Sequence, residues 1–133
     1  MATPTLTTLQ IAMLNKIARS EFSRINGGYP ETLDDVGEVW ANCTLQTKAD
    51  GGVFTTLAAL GLVDIYKAPR NARRGGNDDS TVWLTETGFA AYKANVAQTA
   101  EDAECVARRH AYRAKEAAEM AAYAAKHPKA QAE

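Results

Sequence analysis

Between Thr44 and Phe89 the spacing of apolar residues changes character three times, and few folds accommodate that order. Val53, Leu57 and Leu60 recur at helical intervals, and Gly61 is placed to stop the helix they imply. Leu62 to Lys67 then alternates as a strand does, Thr81 to Leu84 alternates again, and a helical pattern resumes at Thr85. The spacing therefore predicts helix, hairpin and helix. Between the strands, Ala68 to Ser80 is too long and polar for a tight turn and is expected to project as a loop. Its charges are segregated: Lys67, Arg70, Arg73 and Arg74 come first, Asp78 and Asp79 last. Arginines beside Gly75-Gly76 suit a phosphate backbone or a minor groove. The alternative is an ordinary solvated loop neutralised by its own aspartates.

Upstream, Leu6, Leu9, Met13 and Ile17 mark an amphipathic helix over roughly Thr5 to Arg24, stopped by Asn26-Gly27-Gly28-Tyr29-Pro30. Thr32 with Asp35 reads as a helix cap, and Leu33, Val36, Val39 and Trp40 supply the buried face of a second helix ending near Cys43. That helix is acidic, through Glu31, Asp34, Asp35 and Glu38. Thr47 with Asp50 offers a further cap. At 100° per residue, Lys48, Gly51, Gly52, Thr55 and Ala59 then fall opposite the apolar side, with Thr56 at the margin. Glycine inside a helix costs about 1 kcal/mol relative to alanine, so Gly51 and Gly52 either permit a close backbone approach or precede a helix that starts near Val53.

Taken together, LAALGLVDI (Leu57 to Ile65), the Arg73-Arg74 pair and VWLTETGFAAY (Val82 to Tyr92) resemble a winged-helix domain of the MarR-like transcription-regulator type. The resemblance runs from about Leu33 to Tyr92. It implies a mainly helical fold with a small β-hairpin, in which the third helix enters the major groove of DNA and the hairpin loop, the wing, meets the backbone or the minor groove. Carried over by position, Lys48, Thr55 and Thr56 become candidate groove contacts, Arg70, Arg73 and Arg74 candidate wing contacts, and Lys67 a phosphate contact. The fold would occupy residues 1–92, followed by a C-terminal helix over 93–127 and a frayed tail at 128–133.

The C-terminal helix is lined with alanine. From position 90 to position 125 alanines recur with a mean spacing of 3.5 residues, a heptad seam built from the smallest helix-forming side chain. Small seam residues favour close helix pairing, most economically with a second copy of the chain, which predicts a homodimer with a coiled-coil contact. Two other readings stay open. Glu104 with Arg108 and Arg113 with Glu116 can support a lone exposed helix, and Thr99-Ala100-Glu101-Asp102 can cap a new helix that folds back as a hairpin.

Composition narrows the function. A chain of 133 residues that is 46% hydrophobic has material for a core, while a net charge of -1 supplies no global attraction to nucleic acid, so any basic footprint must be local. Cys43 and Cys105 are expected as free thiols in a reducing, cytoplasmic setting. The residue types and spacings offer no metal or cofactor site, no catalytic constellation and no run long enough for a membrane span. The leading expectation is a dimeric DNA-binding transcription regulator whose partner is double-stranded DNA. The alternative is a phage or mobile-element interaction protein that uses a winged-helix scaffold to bind and inhibit or adapt a host protein complex.

Overall fold

The computed structural model describes residues 5–68 and 80–127. The chain divides between Gln98 and Thr99 into two compact units. The first is mainly helical with a small sheet. In order it contains α1 (Thr8–Ala18), α2 (Leu33–Val36), β1 (Val39–Trp40), α3 (Ala41–Thr44), α4 (Lys48–Ala59), β2 (Val63–Tyr66), β3 (Thr81–Leu84) and α5 (Glu86–Asn95). The second contains α6 (Ala100–Lys126). Among the described residues no helix is long and apolar enough to cross a membrane.

Local chemistry sets the helix starts. Thr7, Thr32, Thr47 and Thr99 each form a reciprocal capping box with the side chain three residues on: Gln10, Asp35, Asp50 and Asp102. Each box satisfies two backbone N–H groups that the helix cannot. Thr85 caps α5 by accepting from the Gly88 N–H at 3.0 Å.

Three expected helices are cut shorter than their apolar spacing suggests. The first ends at Ala18 rather than Arg24. The Ser20 and Ser23 hydroxyls accept from the N–H groups of Phe22 and Gly27, both at 3.1 Å, and so hold the backbone in turns that compete with a helix. The second was expected to run from Leu33 to Cys43, but it stops at Val36 because Gly37 takes a φ of 66°, which a continuing helix cannot contain. Beyond that break, Val39 and Trp40 form a third strand instead of a helical face. The long alanine helix is likewise interrupted: Val96 is extended (φ -125°, ψ 105°), and the Thr99 box starts α6 afresh.

The expected hairpin is present as β2 and β3, joined by β1 into an antiparallel sheet of order β1-β3-β2. Val82 is the register point, opposite both Val39 and Ile65. With a period of two, that register turns Val39, Val63, Val82 and Leu84 inward, where all four are buried. The helices meet them with Leu14 and Ile17 from α1, Leu57 from α4 and Tyr92 from α5, each at 0% exposure. Burial of apolar area on this scale is the main stabilising term.

Candidate nucleic-acid interface

The α4 helix is fixed at its start by Asp50. Its carboxylate accepts from the N–H groups of Gln46 and Thr47, both at 3.2 Å, and lies 3.5 Å from the Lys16 ammonium on α1. Partial desolvation opposes the charged form, but the Thr47 N–H, the Lys16 charge and the Gln46 N–H outweigh it and hold the carboxyl below its usual pKa. A depressed folded-state pKa stabilises the fold above the ordinary carboxylate pKa, and that contribution is lost as pH falls through the folded value. Asp50→Asn is therefore expected to lower the melting temperature at neutral pH and to flatten its fall on acidification. Thermal melts from neutral pH to about pH 3 check this.

Phe54 and Leu57 are the buried residues of α4, with Val53 half-buried. Leu60, expected on the same side, is 46% exposed at the helix end, and Phe54 takes the inner place. The opposite face carries Lys48, Gly52, Thr55, Thr56 and Ala59, all exposed, while Gly51 is half-buried. Among the described residues, a Cβ added at Gly51 or at Gly52 would meet nothing within 4 Å, so packing among those residues requires neither glycine.

The two threonines carry constraints that sequence spacing does not reveal. The Thr55 hydroxyl donates to the Gly51 carbonyl at 2.9 Å, and the Thr56 hydroxyl donates to Val53 O at 2.7 Å. Thr56 Oγ1 also accepts from Gln10 Nε2 on α1 at 3.0 Å. With its proton committed, the Thr55 hydroxyl is left as an acceptor, which suits a base amino group and not a phosphate oxygen, whereas Thr56 Oγ1 is turned to Gln10 of α1. Lys48 is the cation on this face.

Lys67 follows β2, is exposed, and lines a cavity of about 630 Å³ with Asn42, Gln46 and Ser80. The stem of the loop is clamped there, because Ala68 N–H donates to the buried Ser80 hydroxyl at 2.9 Å and Ala41 N–H donates to Ser80 O at 2.9 Å. Arg70, Arg73 and Arg74 lie outside the described residues, as does the expected frayed tail at 128–133. Of the seven candidate contacts, Lys48 and Thr55 thus share one helix face, Thr56 lies at its margin bonded to α1, and Lys67 stands at the foot of the loop.

Cys43 and Cys105 are free thiols, as expected. Among the described residues no group of three or more histidines, cysteines, aspartates or glutamates is arranged to hold a metal ion. Comparison with known proteins yields no matching family model, no matching curated protein and no matching solved structure.

Proposed function

We propose that the chain is a winged-helix DNA-binding protein of the MarR-like kind, a cytoplasmic transcription regulator that inserts α4 into the major groove and lays the β2–β3 loop along the backbone or minor groove. The observation that carries this reading is the exposed face of α4: Lys48, Gly52, Thr55 and Ala59 form a surface without acid, small enough for the helix to approach base edges closely. The order helix, short strand, short helix, α4, hairpin, with β1 paired to β3, supports the scaffold.

Two predictions separate binding from folding. Gly52→Ala fills open space on a helix, so it raises stability by about 0.5–1 kcal/mol while lowering DNA affinity through the added methyl. Thermal melts and fluorescence anisotropy on random duplex read the two effects. Removing two phosphate contacts with Arg73→Ala and Arg74→Ala flattens the plot of log affinity against log salt by about 2 units. Wild-type protein that shows no salt-sensitive affinity for duplex DNA ends the proposal.

The protein acts as a homodimer in this reading. Ala103, Ala107, Ala111, Ala114, Ala118, Ala121 and Ala125 are exposed on α6, a strip along which a second copy packs closely. The solution mass tests that element by itself.

A further inference from the structure

The outward face of the sheet is aromatic. Register sets Trp40, Thr81 and Tyr66 in one cross-strand row and Trp83 with Asp64 in the next. Alternation directs all five away from the buried valines. Trp40 is 43% exposed and Tyr66 52%, with Trp83 half-buried, so both tryptophans of the chain lie on this face. Rings of this size dominate interfaces when they are covered.

Acid borders the rings. Between α2 and β3 lies a cleft of about 400 Å³ whose apolar lining includes Leu33 and Trp83, with Asp34 and Glu38 also lining it. Asp34 already holds a guanidinium, through an Arg24 Nη1–Asp34 Oδ1 contact of 3.1 Å. Glu38 and Asp64 are exposed.

We propose that this face docks a protein segment that is apolar apart from arginine or lysine side chains. The cleft takes one such side chain, with its aliphatic stem along Leu33 and its cation against the Trp83 ring and the Glu38 carboxylate. Trp40 and Tyr66 cover the flanking apolar residues. Charge complementarity selects this partner. Phosphate is repelled by Glu38 and Asp64, Asp34 being paired with Arg24, and a wholly apolar segment would strip water from carboxylates without replacing it. The surface is distinct from α4 and does not depend on DNA binding there.

The test titrates the full-length protein with a blocked tetrapeptide of alternating leucine and arginine, and with its glutamate-for-arginine counterpart. The two indole N–H resonances are followed by NMR. With the arginine peptide both resonances are expected to move and saturate with a Kd of ~1 mM. The glutamate peptide is expected to leave them in place, and Glu38→Gln to weaken binding roughly two- to fivefold, the size of one exposed ion pair. The proposal is overturned if the arginine peptide moves neither resonance, or if both peptides move them equally. Movement with duplex DNA but not with the arginine peptide would assign the face to nucleic acid and overturn it too.

Discussion

Gly88→Ala is expected to cost the first unit about 3 kcal/mol or more, because the new methyl overlaps backbone rather than a side chain that can turn aside. A Cβ at Gly88 would collide with the Leu62 carbonyl oxygen and lie 2.7 Å from the Leu62 carbon. That carbonyl accepts from Thr85 N–H at 3.1 Å, and the Thr85 hydroxyl donates to Gly61 O at 2.6 Å. The clash therefore falls where α5 is pinned to the head of β2. For a unit of this size the loss lowers the melting temperature by roughly 15 °C. Gly51→Ala, at a site with open space, is the matched control and is expected to shift the melt upward. If both variants melt like the wild type, the close packing of α5 on Leu62 is wrong.

Tyr92→Ala comes next, at about 4 kcal/mol. The ring has 0% exposure and lies 6.0 Å from Tyr29 and 6.4 Å from Phe89, centroid to centroid, so its removal leaves a cavity among rings that cannot collapse onto it. Its hydroxyl donates to Asn15 Oδ1 at 3.3 Å, tying α5 to α1. Tyr92→Phe keeps the ring and loses that bond, at about 1 kcal/mol. Urea unfolding of the two variants distinguishes the terms. Equal losses would mean that the hydroxyl, not the packing, holds this part of the core.

Much of the fold was legible because its signals are local. The caps at Thr32, Thr47, Thr85 and Thr99 need only a side chain and its neighbours three residues on, and alternation around Ile65 and Val82 needs only the strand itself. What escaped depends on distance along the chain. Val39-Trp40 is too short to display a period, and its partner lies some forty residues away on β3, so the pair read as part of a helix. The Lys16–Asp50 ion pair and the Gln10–Thr56 bond join α1 to α4 across similar separations.

The candidate site was legible to the same degree. Helical geometry alone placed Lys48, Gly52, Thr55 and Ala59 on the exposed side. It could not indicate that both threonine protons are held by the helix backbone, since that depends on side-chain rotation. Phe54 displaced Leu60 from the buried side because α4 ends at Ala59 and Leu60 belongs to the cap.

The placement of the two tryptophans divides the optical signals of this protein between different layers. Indole emission will report the outer surface of the sheet; of the five tyrosines, Tyr66, Tyr112 and Tyr123 are already exposed, so the change in tyrosine absorption on unfolding will come from Tyr29 and Tyr92 and report the core. Coincident transitions in the two signals would mean that sheet and helices melt as one body, and a gap between them would expose a partly unfolded species.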